Sequence, residues 1–125
     1  MNIIEQQRPA QTELPGVAHT TLAGRADGLS ALSLWRQTLA PGAATPPHRH
    51  DCDEVVLCIG GHGEVHSEGR IERFGADCTL VLPAHRDHQI FNVGSGPLDT
   101  VAVFAATPVV TREPDGAPID LPWRT

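Results

Sequence analysis

The stretch that decides the fold reads Gly42-Ala-Ala-Thr-Pro-Pro-His48-Arg-His50-Asp-Cys-Asp-Glu54-Val-Val-Leu-Cys-Ile-Gly-Gly61. Its pattern is G-x5-H-x-H-x3-E-x6-G, with both histidines and the glutamate at even positions. Side chains alternate between the two faces of an extended backbone, so each segment would aim these residues at one face. Imidazole nitrogens and carboxylate oxygens are ligands of divalent first-row metals. This stretch therefore predicts most of a metal site.

A second stretch further along the chain completes the pattern. It runs from Gly75 through Pro83 to His88-Gln-Ile-Phe-Asn92, which ends in H-x3-N. Together the two stretches resemble the two signature motifs of the cupin superfamily, and the resemblance covers roughly residues 30 to 105, as in a small cupin of the cupin 2 conserved barrel type. The second motif departs at His85, which stands where the family usually places a glycine with positive φ. Histidine tolerates that conformation better than most residues other than glycine.

The resemblance implies an all-β fold of the double-stranded β-helix, or jelly-roll, type. It further implies a single domain spanning residues 1–125, with a barrel core at about 17–106 and an arm at each end. Carried over residue by residue, the metal ligands of the family fall on His48, His50, Glu54 and His88. We expect one divalent ion there, and Fe, Mn, Ni and Zn all suit this set of ligands.

The distribution of turn residues also favours an all-β fold. Glycine and proline contribute 12 and 11 residues and are spread along the chain. Short runs with strand character separated by turn signals about every ten residues are typical of a sandwich or barrel. The predicted strands are Val17–Leu22, Leu29–Leu39, Glu54–Ile59, Gly63–Ser67, Arg70–Phe74, Thr79–Leu82, His88–Val93 and Thr100–Ala105.

Composition restricts the partners and the compartment. The net charge is −6 and the nine basic residues form no run, so nucleic acid and anionic membrane surfaces are not expected partners. Three cysteines give no disulfide framework, the first residues lack the apolar run typical of a signal peptide, and no apolar segment approaches the length of a membrane helix. We therefore expect a cytoplasmic protein with reduced thiols. Sheet edges and the outward apolar positions Val55, Leu57 and Ile59 indicate an oligomer, and together with the resemblance to cupins they imply a homodimer.

Four further residues are candidates for the wall of a substrate pocket. Trp35 and Gln37 alternate along the strand before the first motif, which in small cupins runs beside the metal. Trp35 could equally be an aromatic residue of the core or of a dimer interface. Ala102 and Phe104, on the last predicted strand, are similar candidates with less support.

Three functions are compatible with these residues. The first is a dioxygenase-type or other metal-assisted enzyme acting on a small oxygen-rich molecule, with Glu54 as a ligand or as the catalytic base. The second is a non-redox isomerase, epimerase or lyase. The third is a cupin that binds a small ligand without changing it. The chain contains no tyrosine, so cupin enzymes that rely on a tyrosine base are poor comparisons. The presence of all four ligands favours the first function, because a scaffold has no need for a cluster of titratable groups in its interior.

Overall fold

A computed structural model describes all 125 residues, and almost every regular element in it is a β-strand. The eight predicted strands are all present, with ends that differ by at most four residues. Three strands of two residues each, Ala10–Gln11, Arg49–His50 and Thr111–Arg112, were not predicted. In chain order the elements are β1 (Ala10–Gln11), β2 (Val17–Ala23), a 3-10 turn (Arg25–Asp27), β3 (Ser33–Leu39), β4 (Arg49–His50), β5 (Glu54–Gly60), β6 (His62–Ser67), β7 (Arg70–Gly75), β8 (Thr79–Leu82), β9 (His88–Asn92), β10 (Leu98–Phe104) and β11 (Thr111–Arg112).

The strands form two principal antiparallel sheets and one small one. The larger sheet has the order β1-β2-β3-β10-β5-β8, and a three-stranded sheet has the order β7-β6-β9. Strand β10 returns from late in the chain to lie between β3 and β5, a crossing connection typical of jelly rolls. The sheets do not join into a closed cylinder. The architecture is the all-β cupin fold that the resemblance implied. No segment of the chain forms a helix of the length and apolar character that a membrane crossing would need.

The two principal sheets share an apolar core because their inward positions alternate with outward ones. Strand β10 shows this period most clearly, with Leu98, Thr100, Ala102 and Phe104 all buried. One core cluster joins residues of both sheets: Val17, Leu39, Cys58, Phe74, Ile90 and Leu98. A second cluster lies nearer the metal ligands and contains Trp35, Val56, Leu82, Ala102, Phe104 and Val109. The fold therefore places β3, β5 and β10 directly behind the predicted site.

The turn before β9 adopts the conformation that the second motif required. His85 has a φ of +67° and its side chain is largely exposed. Its backbone N–H donates to the carbonyl of His50 at 2.9 Å. Histidine therefore occupies the position usually given to glycine, and the turn is tied to the strand that carries one of the metal ligands.

The outward face of the larger sheet leaves several apolar side chains in solvent. Val81 is 72% exposed, Ile59 52% and Leu57 39%, and Val81 lies opposite Val55 in the β5–β8 ladder. We expect two copies of the chain to cover this surface in a homodimer. Light scattering should then give twice the 13.4 kDa of one chain, and Val81→Lys should shift the protein to monomers without lowering its unfolding temperature. A wild-type protein that is monomeric at 100 μM would contradict the dimer.

Candidate metal centre

The structure brings the four predicted ligands together. His50 lies on β4, Glu54 begins β5 and His88 begins β9, while His48 joins His88 through a two-bond backbone bridge with N···O distances of 3.0 and 2.8 Å. One nitrogen or oxygen atom from each side chain lies within 4.8 Å of the others. Opposite donors on an ion with bonds of about 2.1 Å are roughly 4 Å apart, so small side-chain movements suffice to close the group around a cation.

Backbone carbonyls fix the orientation of all three imidazole rings. The Nδ1 atom of His48 lies 2.7 Å from the carbonyl of Pro46, that of His50 3.1 Å from the carbonyl of Val110, and that of His88 3.1 Å from the carbonyl of Arg86. A carbonyl can only accept, so each Nδ1 carries a hydrogen and donates it. In the neutral ring, Nε2 is then left as a lone pair facing the centre, the arrangement found in histidine-ligated metal sites.

The carboxylate of Glu54 lies among these lone pairs. Its Oε2 atom is 3.3 Å from Nε2 of His50 and 3.3 Å from Nε2 of His88. Glu54 Oε2 and His88 Nε2 are both buried without a well-aligned hydrogen-bond partner. Unpaired acceptors that converge in a protein interior are costly unless a cation or a proton joins them. The residues present therefore fit a divalent metal ion.

Burial and mutual contact set the charges in the group. Burial would raise the pKa of Glu54, but the contacts with His50 and His88 outweigh it and hold the pKa well below its usual range. The pKa of His48 falls to about 4, first because the ring is buried and then because His88 and His50 are close. Burial would lower the pKa of His88, yet the contact with Glu54 raises it overall. Glu54 is thus anionic at neutral pH, so a metal ion would compete with a proton for the lone pair of His88.

A small cavity lies beside His48 and His50. Its volume is about 30 Å³, enough for one or two water molecules. Neither lysine, arginine, aspartate nor glutamate lines it. Its walls are the apolar residues Leu14, Val17, Trp35, Pro46, Leu121 and Trp123, together with Gln37, Thr45, Thr111 and the two histidines.

The predicted pocket residues divide into two pairs. Trp35 and Gln37 line the cavity. Ala102 and Phe104 lie in the apolar core behind Trp35, where the Phe104 ring packs edge-on against the His50 ring with centroids 4.9 Å apart. Leu121 and Trp123, which reach the cavity from the C-terminal arm, were not predicted. The available signal was a single large aromatic residue in a proline-rich tail.

A larger cavity lies between the sheets on the opposite side, where His88 forms part of its floor. Its volume is about 340 Å³. Val65, Leu80 and Leu82 line its interior, and the ion pairs Arg86–Glu68 and Arg70–Glu72 lie at its rim. The metal group is therefore bordered by a small, mainly apolar cavity and by a larger one with charged residues in its lining.

Sequence comparison relates the chain to auxin-binding proteins. Auxin-binding protein 1 of Arabidopsis thaliana is 34% identical over 105 residues, covering 76% of this chain and 53% of the relative. Auxin-binding protein T85 of Nicotiana tabacum is 34% identical over 106 residues, covering 75% of this chain and 57% of the relative. The chain therefore spans little more than half the length of these relatives.

Structural and family comparisons agree with that relationship. A solved oxalate oxidase in complex with glycolate superposes with a TM-score of 0.72 at 25% identity, covering 85% of this chain and 59% of the other. A Cupin 2 conserved barrel domain protein from Salinispora arenicola gives a TM-score of 0.69 at 23% identity, covering 85% and 92%. The family described as auxin binding protein matches residues 2–112. The chain has the cupin fold and belongs to this auxin-binding protein family.

Proposed function

We propose that the chain uses its metal centre to bind a small aromatic carboxylate of the auxin type without changing it chemically. The observation that carries the proposal is the composition of the small cavity. Two metal-ligating histidines form one wall, and Trp35 and Trp123 form others. The relatives are named for binding auxin, and auxins such as indole-3-acetate combine a flat ring with one carboxylate.

The cavity and the metal group offer different surroundings to the ring and to the carboxylate of such a ligand. Its tryptophans and aliphatic side chains offer an aromatic ring apolar contact and stacking surface. No arginine or lysine lines the cavity, so an anionic group buried there would lack a positive partner among its walls. A divalent ion held by His48, His50, Glu54 and His88 would supply that positive charge.

Gln37 is the polar residue best placed to orient the ligand. Its side-chain amide donates through Nε2 to Nδ1 of His19 at 3.0 Å. That contact fixes the amide group and leaves Oε1 of a cavity-lining residue available as an acceptor. Gln37 would therefore orient a ligand through a donor group such as an indole N–H, while the carboxylate is held by charge.

Calorimetry with indole-3-acetate tests this function. We expect the zinc-loaded protein to bind one molecule per chain. The apo protein should bind at least about tenfold more weakly, because a buried carboxylate without a positive partner is costly. The matched control ligand is 3-methylindole, which keeps the ring and lacks the carboxylate. The affinity for 3-methylindole should be the same with and without metal. Indole-3-acetate should be recovered chemically unchanged after binding. Equal binding of indole-3-acetate by the apo and metal-loaded proteins would contradict the proposal.

A second candidate is oxidation of a small carboxylate at the same centre, the dioxygenase-type function considered above. It is favoured by the likeness to oxalate oxidase and by the polar cavity on the His88 side, which gives a small molecule a separate approach. Iron- or manganese-loaded protein in an oxygen electrode separates the candidates. Oxygen uptake that depends on a carboxylate substrate and disappears in Glu54→Gln would favour oxidation over binding.

A further inference from the structure

In this structure the small cavity does not have room for the proposed ligand. Its 30 Å³ holds one or two water molecules, whereas an indole carboxylate is many times larger. Most of its walls belong to the sheets or to the first motif. Leu121 and Trp123 instead belong to the segment after β11, which contains no strand. This C-terminal segment, residues 121–125, is therefore the wall that can move to admit a ligand.

Side chains rather than a backbone ladder hold the C-terminal segment in place. The Trp123 ring stacks on the His19 ring with centroids 4.0 Å apart and planes 13° apart. Arg124 pairs with Asp27 at 3.1 Å, and its guanidinium donates to the carbonyl of Thr21 at 3.3 Å. The carbonyl of Arg124 accepts from the Thr21 hydroxyl at 2.7 Å. The carbonyl of Thr125 also accepts from the hydroxyls of Thr107 and Ser33 at 3.4 and 3.5 Å, and Leu121 and Trp123 pack against the second core cluster. The contacts with His19, Thr21 and Asp27 are therefore one part of what holds the segment.

The hydrogen bonds around His19 have only one consistent direction. The Arg124 carbonyl can only accept a hydrogen bond, so the Thr21 hydroxyl donates its one hydrogen to that carbonyl. His19 Nε2, 2.8 Å from the same hydroxyl oxygen, must then donate. The neutral ring is therefore bare at Nδ1, which must accept from the Gln37 amide at 3.0 Å. One continuous chain of donors runs from Gln37 in the cavity wall through His19 and Thr21 to Arg124.

We propose that His19 is a positioning residue that holds the C-terminal segment closed over the cavity and links that closure to Gln37. The inference rests on the proposed function for its ligand, but the closure itself needs no ligand to be observed. His19 belongs neither to the metal group nor to the residues that line the small cavity. His19 acts through Thr21, Trp123 and Gln37. For a ligand to enter or leave, the hydrogen bond from the Thr21 hydroxyl to the Arg124 carbonyl must break.

The surroundings of His19 keep its ring in the required neutral form. The side chain is only 6% exposed, and its pKa falls to about 4, first through burial and then through the positive charge of Arg124. Asp27 is paired with that arginine. Glu13, which borders a surface hollow together with His19, is itself exposed. At neutral pH the ring is therefore uncharged and can accept from Gln37.

The first test follows the segment without any ligand. In a Trp35→Phe background, Trp123 is the remaining tryptophan, and acrylamide quenching reports its exposure to solvent. Thr21→Val keeps the shape of residue 21 but removes both hydrogen bonds, so the quenching constant should rise about fivefold, the factor that one net hydrogen bond is worth. Thr21→Ser keeps the hydroxyl and should restore the low value. Equal quenching in the valine and serine variants would overturn the proposal.

The second test measures ligand exchange by stopped flow with native tryptophans, zinc-loaded protein and indole-3-acetate. Thr21→Val and His19→Phe should both release the ligand about fivefold faster or more, while Thr21→Ser stays near wild type. The double variant should release it no faster than His19→Phe alone, because both changes break the same chain. Additive effects would overturn the linkage. If indole-3-acetate does not bind at all, the proposed function fails. The quenching test then still decides whether the Thr21 hydroxyl holds the segment, and His19→Phe in the same Trp35→Phe background, expected to raise the quenching constant as Thr21→Val does, decides whether His19 does.

Discussion

Replacing Glu54 with glutamine is expected to abolish the rise in unfolding temperature that Zn²⁺ or Mn²⁺ produces in the wild-type protein. Glu54 is 6% exposed, and glutamine keeps its shape while removing the negative charge. Its Oε2 atom lies at 3.3 Å from two imidazole nitrogens, so it supplies the one anionic ligand of the group. Losing it should weaken metal affinity by at least about 100-fold, more than the loss of a residue that only supports a ligand.

Thermal unfolding across a series of metal concentrations measures this effect directly. At a free metal concentration 100 times the wild-type dissociation constant, the native state gains about 2.7 kcal/mol. That gain should fall below about 0.5 kcal/mol in Glu54→Gln, because the same concentration then only matches the weakened dissociation constant. His88→Ala should behave in the same way and also lose bound metal by elemental analysis.

A nearby histidine outside the group provides the matched control. His85→Asn changes an exposed side chain three residues before His88, and asparagine tolerates the positive φ of that turn. Its metal response should equal that of the wild type. A metal-dependent stabilisation that survives Glu54→Gln and His88→Ala, yet is lost in His85→Asn, would place the metal outside the predicted group.

The grouping of the four candidate metal ligands could be predicted because local geometry brings three of them together. His48 and His50 are separated by one residue on extended backbone, and the turn at 51–53 returns Glu54 to the same side. His88 lies far away in sequence, and only the second motif pointed to it. The strands were predictable for a related reason. The alternation of side chains with a period of two, and the glycine and proline residues at the turns, are local features that do not depend on how the strands pack.

The walls of the cavity were harder to predict because they depend on tertiary packing. Ala102 and Phe104 have the same inward parity as Thr100, but parity does not say whether an inward side chain meets a cavity or a neighbouring ring. Here Trp35 covers them, with its ring centroid 4.3 Å from that of Phe104. The C-terminal segment has no hydrophobic periodicity from which its packing position could be predicted. Its position is set by single contacts such as the Trp123–His19 stack, which no local pattern encodes.

Gly61, the last residue of the first motif, is expected to be intolerant of any side chain. Its φ is +93°, and a Cβ atom there would lie 2.4 Å from the Pro97 carbonyl oxygen and 2.9 Å from Cα of Leu98. Both neighbours are backbone, so neither can rotate away. Gly61→Ala should therefore lower the free energy of unfolding by about 3 kcal/mol or more. For a chain of this length the unfolding temperature should fall by about 10 °C.

Gly60 provides the control for that prediction because it is the adjacent glycine. It has no positive φ, and a Cβ atom there meets nothing within 4 Å, so Gly60→Ala should change stability by less than about 1 kcal/mol. Calorimetric unfolding of the two variants compares them directly. Zinc affinity of Gly61→Ala, measured well below its unfolding temperature, should stay near the wild-type value, because Gly61 meets the start of β10 rather than the ligands. If the zinc affinity of Gly61→Ala falls together with its stability, Gly61 also shapes the metal site. If Gly61→Ala and Gly60→Ala are equally stable, the backbone around Gly61 can move to accommodate a Cβ atom, and the prediction is wrong.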